Sequence, residues 1–320
     1  MDPITDIFRT LQVSGVVHSR LEMTAPWGVM RDSKNEVTHV GPLKLAPSQL
    51  AHFGLVTRGH CWLTIEAYPD AVPLTGGDCF LLAPGVSYIL RDDVRTQPRN
   101  FCEVAQNSAK PVLYYGGGGA PTTIVSGFFS FDALSLKPLT ELMPSLILVK
   151  GDQAHTPALH STMKLLDAEM AEPAPGSEIV ATRLAEVLFI QTIRAHISSA
   201  HARCERGWLR AIFDPQIGAA IRSIHENVSN PWTVESLAAA ASMSRSAFAA
   251  RFKELLGQSP IDYVTEWRMQ KSLQLLRQKD KKLVDVARSV GYESDAGFNK
   301  AFRRVLGVTP GEYRDNGFGP

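Results

Sequence analysis

The chain reads as an α+β multidomain protein: a β-rich barrel or jelly roll first, a helical segment after it, and an all-α domain at the C-terminus. Three observations carry this. Residues 13 to about 150 alternate short β-rich runs with Gly, Pro and Asp turns. From Ala158 onward the apolar residues recur at helical spacing. Toward the C-terminus, two stretches of one design each join a short helix to a longer one through a tight turn.

At 320 residues and 44% hydrophobic content, the chain is long enough to bury two cores. No apolar run approaches the ~20 residues of a membrane span, and Met1 to Gln12 lacks the basic-then-apolar order of a signal peptide. A cytoplasmic protein with no membrane partner is expected. Cys61, Cys79, Cys102 and Cys204 show no metal-site pairing and fit a reducing compartment. The formal net charge of +1 hides an asymmetry, because residues 206–320 carry 17 Lys+Arg against 12 Asp+Glu while residues 1–205 carry 16 against 20. A basic end on an acidic body suits contact with phosphate.

The strand candidates are SGVVHSRLEM, HFGLVTRGHCWLTIE, DCFLLAPGVSYIL, PVLYYG and TTIVSGFFSF, with a last strand in Leu139 to Gly151. The run Gly116 to Gly119 lacks the Lys and Ser/Thr of a phosphate loop and reads as a strand connection. Helices are predicted over Ala158 to Met170 and Ser177 to about Ala200, split by the turn Glu172 to Gly176. In the second, Val180, Leu184, Val187, Leu188 and Gln191 form one stripe. That stripe must bury against something, either the helices' own barrel or a second subunit. The polar stretch from His196 to Gly207 reads as a linker, so the expected domains are 1–152, 153–207 and 208–320.

A helix over about Asp214 to Glu226 opens the last domain, with Ile217, Ala220, Ile221 and Ile224 facing its core. In the first paired unit, Thr233 caps a helix whose Leu237, Ala238 and Ala241 face inward, the chain turns at Ala241-Ser242-Met243, and Ser244 caps the second helix. The second unit repeats the plan with Val286, Ala287 and Val290, a left-handed turn at Gly291, and Ser294 as the cap. Phe248, Phe252 and Leu255 in one copy, and Phe298, Phe302 and Leu306 in the other, make the inner faces of the longer helices. Between the units, Pro260 to Gln278 reads as one helix of roughly 27 Å at 1.5 Å per residue, near the ~34 Å between successive major grooves on one face of a duplex.

These residues carry a specific resemblance. Pro260, Tyr263, Trp267, Arg268 and Met269, then Gly291 to Ser294, Phe298 to Arg304 and Gly307 to Arg314, resemble the signature of the AraC/XylS family of bacterial transcription regulators. The resemblance implies a sequence-specific DNA-binding regulator and no enzyme. Its implied partners are double-stranded promoter DNA, RNA polymerase, a small-molecule effector and a second copy of the chain, with the helical segment as the dimerisation element. In that family the early outward positions of each second helix read bases. Here these are Arg245, Ser246 and Ala249 in the first, and Asp295, Ala296, Asn299 and Lys300 in the second. Arg245 can donate to guanine, Ala249 can touch a thymine methyl, Asn299 can pair with adenine, and Lys300 suits guanine or phosphate. Lys253, Arg303 and Arg304 suit phosphate or a solvated face.

The stretch His52 to Ile65, followed by Gly77, Asp78, Gly85 and Tyr88, is similar to the cupin domain of AraC-type regulators. Metal-binding cupins offer two histidines, a glutamate and a third histidine. Only His52 matches, since Gly54, Arg58 and Tyr88 stand at the other places, so neither a metal site nor another cofactor is expected. Trp27, His52, Arg58, Trp62 and Tyr88 are the candidate effector contacts, supplying apolar walls and polar anchors. The alternatives are a metal-dependent cupin enzyme fused to a DNA-binding domain, or a sensor using a strained pair among Cys61, Cys79 and Cys102. Apolar neighbours around Cys61 and Cys79 favour inert buried thiols.

Overall fold

The computed structural model describes residues 3–10, 14–33, 38–40, 43–45, 49–105, 112–131, 134, 143–151, 157–172, 174–200, 208–278 and 280–315. It divides into two compact units. One holds the strands and the two helices that follow them; the other holds the N-terminal helix α1 (Pro3–Thr10) and the helices from Trp208 onward. Helix α1 thus groups with the C-terminal unit and not with the strands next to it in sequence.

The strand unit contains β1 (Ser14–Thr24), β2 (Gly28–Arg31), β3 (Thr38–Val40), β4 (Leu43–Leu45), β5 (Leu50–Arg58), β6 (His60–Ile65), β7 (Val72–Thr75), β8 (Cys79–Leu82), β9 (Tyr88–Arg91), β10 (Arg99–Asn100), the short α2 (Phe101–Ala105), β11 (Val112–Gly116), β12 (Pro121–Ser130) and β13 (Leu146–Val149). A six-stranded sheet runs β11-β1-β12-β5-β8-β13, a five-stranded sheet runs β10-β2-β9-β6-β7, and β3 pairs with β4. Leu21, Met23, Val56, Phe80 and Ile124 of the first sheet share one core with Val29, Leu63, Ile65, Leu74 and Leu90 of the second. Among the described residues the ladders do not close from sheet to sheet, so the expected barrel takes its two-sheet form. The run from His52 to Glu66 breaks at Gly59, where the chain crosses from one sheet to the other. Of the last strand expected in Leu139 to Gly151, Leu146–Val149 is a strand, paired with β8; residues 135–142 lie outside the described set.

Two helices complete this unit, α3 (Pro157–Ala171) and α4 (Ser177–Ala200). The stripe expected on α4 is corrected here. Its buried face is Ala181, Ala185, Leu188, Phe189 and Ile193, with the Phe189 ring 4.8 Å from Phe129 and 5.7 Å from Phe131. Val180 and Val187 of the expected stripe are exposed, as are Ile179 and Ile190. The two alanines explain the choice, because small side chains let the helix axis approach the sheet closely enough for Phe189 to intercalate. The helix therefore carries two apolar stripes, one packed on its own sheet and one open.

The C-terminal unit runs α5 (Trp208–Phe213), α6 (Pro215–Glu226), α7 (Val234–Ala240), α8 (Arg245–Leu256), α9 (Pro260–Leu276), α10 (Leu283–Ser289), α11 (Asp295–Leu306) and α12 (Pro310–Asp315). The caps fall where the side chains call for them. Thr233 Oγ1 accepts from Ser236 N, Ser244 Oγ from Ala247 N, and Ser294 Oγ from Gly297 N. Helix α9 is the shared wall: Tyr263 meets Phe252 of the first pair, and Leu273 and Leu276 pack with Val286, Phe298 and Phe302 of the second. Helix α1 rests on α6 and α9. There buried Asp6 accepts from Lys271 Nζ at 3.0 Å. The neighbouring His225 stacks on Trp267 at 3.7 Å and pairs with Tyr263 Oη at 2.9 Å. Burial pushes His225 down to about 3, so it is neutral at physiological pH and Lys271 is the ion partner of Asp6.

Candidate functional site

The two longer helices, α8 and α11, are copies set fifty residues apart: Ser244 and Ser294 cap them, Phe248 and Phe298, then Phe252 and Phe302, face inward, and Gly257 and Gly307 end them in left-handed conformation. Burying the phenylalanines commits the opposite face of each helix to solvent. The turn before each helix uses positive φ at equivalent places, +53° at Ser242 and +83° at Gly291. A Cβ on Gly291 would also stand 2.7 Å from the Ser229 carbonyl oxygen, so glycine is required there twice over.

On the first helix Arg245, Ser246 and Lys253 are exposed and Ala249 is half-buried. Arg245 Nε holds Glu235 Oε1 of α7 at 2.8 Å, with both side chains open to solvent. Arg251 is engaged internally, donating to Asp214 and Glu254. On the second helix Asp295, Lys300, Arg303 and Arg304 are exposed and Asn299 is half-buried, its amide donating to Asp295 O at 2.8 Å. Asn299, Lys300, Arg303 and Arg304 line one shallow groove with Thr309. Sequence reading missed Thr309, whose signal is the capping box it forms with Glu312 at the start of α12.

The copies differ in charge. Where the second helix presents Lys300 and Arg304, the first has Ala250 and Glu254. The second face is the more basic of the two, while the first has Arg245 as its long donor near the helix start.

In the strand unit the five candidate effector residues separate. Trp27, His52 and Tyr88 are buried, and the His52 ring lies 5.5 Å from Tyr88 and 6.1 Å from Phe128. Arg58 is exposed at the end of β5, and Trp62 is half-buried on the face of β6 opposite Cys61 and Leu63. Alternation along the strand turns Trp62 away from the core. At Gly54 a Cβ would sit 2.3 Å from the Phe80 ring, so an aromatic ring fills the space that a second histidine would need. Among the described residues no three His, Cys, Asp or Glu side chains converge as a ligand set. Burial raises Cys61 and Cys79 to about 12, which keeps both as thiols; Cys102 is exposed, and Cys204 lies outside the described residues. The loop after β11 is no phosphate cradle, since Gly117 N and Gly119 N donate to Thr24 and Ala25 carbonyls. No helix among the described residues is long and apolar enough to cross a membrane.

Residues 2–198 match the cupin family and residues 237–316 match a helix-turn-helix domain family. The chain is 31% identical over 315 residues to an AraC-like transcription regulator of Streptomyces lividans, covering 98% of each chain. It is 26% identical over 317 residues to the transcriptional regulator MtrA of Neisseria gonorrhoeae, covering 99% of both. Among solved structures, the DNA-binding domain of AdpA in complex with a target DNA is similar at 33% identity and a TM-score of 0.31, over 32% of this chain and 92% of that one. With a cupin-like domain joined to a tandem DNA-binding helix-turn-helix domain, and with relatives matched along almost its whole length, the chain belongs to the AraC family of transcription regulators.

Proposed function

We propose that the protein binds promoter DNA as a homodimer through both reading helices, answers a small organic effector held by the cupin-like unit, and acts on RNA polymerase in the cytoplasm. The observation that carries the DNA reading is the pair of matched helices with outward Arg245 in one and Asn299, Lys300, Arg303 and Arg304 in the other. The open stripe of Ile179, Val180, Val187 and Ile190 on α4 supports a second copy as the dimer partner. For the effector, the support is Trp27, whose indole Nε1 is buried without an acceptor among the described residues, in the core that also holds Tyr88. An unpaired buried donor costs about 1–3 kcal/mol, which an acceptor on a ligand recovers.

The full chain is the right reagent, because removing α1 would leave Lys271 without Asp6. Footprinting and affinity measurements on DNA upstream of its own and adjacent genes should give a protected site. Its log affinity should fall with log salt by about 0.9 per phosphate contact. Absence of any salt-dependent, sequence-selective protection would refute the two-helix reading.

A further inference from the structure

A groove of ≈ 280 Å³ opens in the strand unit between the β7–β8 turn and α3, and none of the five candidate effector residues is among those that line it. Leu55 and buried Met163 supply its apolar lining, since alternation along β5 turns the neighbouring Val56 side chain into the core between the sheets, while Thr57, His160 and Lys164 bring polar heads to its rim. Helical spacing assembles the α3 side, because His160, Met163, Lys164 and Asp167 share one face at i, i+3, i+4 and i+7. Asp167 is already engaged by Arg20, which also binds Glu22. Neither Lys164 nor His160 has an ion-pair or hydrogen-bond partner among the described residues. The groove therefore combines apolar Leu55 and Met163, an ammonium with no ion-pair partner among the described residues, a carboxylate already held by Arg20, and imidazole and hydroxyl groups able to hydrogen-bond.

From this we infer that the groove binds a small monocarboxylate with a short apolar body. The carboxylate pairs with Lys164, with His160 and Thr57 as hydrogen-bonding neighbours, and the apolar part lies on Leu55 and Met163. Its volume sits at the lower edge of the ~300–1,000 Å³ range of ligand pockets, which limits the guest to a small molecule. A phosphate is the wrong guest. Phosphate sites recruit several cations or free backbone amides, whereas Gly76 N and Gly77 N already donate to the Gly59 and Val56 carbonyls.

The test uses 4-fluorobenzoate as the probe, followed by fluorine NMR on the full chain. Saturable binding near or below about 1 mM is expected, displaced by hexanoate and untouched by inorganic phosphate. Lys164→Glu should weaken it by about tenfold or more, and Lys164→Arg should retain it. Gly76→Leu should block it without altering charge, since a Cβ there meets Thr57 O at an ordinary 3.5 Å. Arg95→Ala, a change at an exposed arginine paired with Asp93 and outside the groove lining, should leave it unchanged, and an unchanged melting temperature shows that each variant is folded. No saturable binding, equal displacement by phosphate, or full binding by folded Lys164→Glu would each overturn the assignment. If the probe binds as expected but leaves promoter affinity unchanged, the groove stands and its ligand is separate from the proposed effector response.

Discussion

The Arg268 guanidinium lies over the Tyr292 ring, 5.6 Å from its centroid, and donates to the Val228 and Asn230 carbonyls at 3.0 and 2.6 Å. One side chain on the central helix thus clamps the loop before α7 and the turn before α11, and so holds the two helix-turn-helix units in one arrangement. Arg268→Met should destabilise the C-terminal unit by about 2–4 kcal/mol, from two lost charge-assisted hydrogen bonds and one cation–π contact. Arg268→Lys should recover little, because an ammonium lacks the planar fork. Chemical denaturation checks this, and a loss below about 1 kcal/mol in both variants would show that the clamp is not structural.

The two left-handed turn residues give a paired prediction. Gly291→Ala meets both the backbone penalty and the Ser229 carbonyl and should cost about 2 kcal/mol or more. Ser242→Gly relieves a positive φ of +53° and should be neutral or stabilising by up to about 1 kcal/mol. Thermal melts of the two variants should move in opposite directions, or with Ser242→Gly unmoved.

In the strand unit buried Asp78 accepts from Lys150 Nζ, Gly151 N, and Thr75 N and Oγ1. Burial alone would raise its carboxyl, but these hydrogen bonds outweigh it and hold the group below the usual carboxylate range. A folded value below the unfolded one means that the contribution is fully present above about pH 4 and is lost as pH falls through the folded value. Asp78→Asn should remove that part of the acid-stability profile. Lys150→Met, by leaving the carboxylate buried without its cation, should cost about 3 kcal/mol near neutral pH, which urea titration measures.

For DNA, Arg245→Ala should cost about 1–3 kcal/mol on the cognate site and relax preference at one base pair. Arg303→Ala should weaken all sequences alike and reduce the salt slope by about one. Equal, sequence-independent losses from both changes would make Arg245 a phosphate contact. Glu235→Gln frees Arg245 from its exposed partner and should alter affinity by less than about 1 kcal/mol.

The open stripe on α4 predicts assembly. Val187→Glu, a change at an exposed position, should leave the melting temperature of the monomer almost unchanged while lowering the mass seen by sedimentation from dimer to monomer. A dimer that persists through Val187→Glu and Ile179→Glu together would place the contact elsewhere.

Periodicity and caps were enough to read the two helix-turn-helix units and the helix between them, because several helices there mark their own starts: Thr233, Ser244, Ser259 and Ser294 bond to amides within three residues, whereas α1, α5 and α12 were not foreseen. Local chemistry of that kind is legible in sequence. The strand candidates were legible for the same reason, through alternation and turn residues. What alternation cannot carry is which of two apolar faces is covered, and tertiary packing alone chose Ala181, Ala185 and Phe189 over Val180 and Val187 on α4. The same limit separated the effector candidates. Trp27, His52 and Tyr88 went to the interior, while Arg58 and Trp62 did not, because burial depends on the neighbouring sheet and not on residue type. The pairs Asp6–Lys271 and Arg268–Tyr292, and the groove beside Lys164, join residues distant in sequence, so they exist only once the chain has folded.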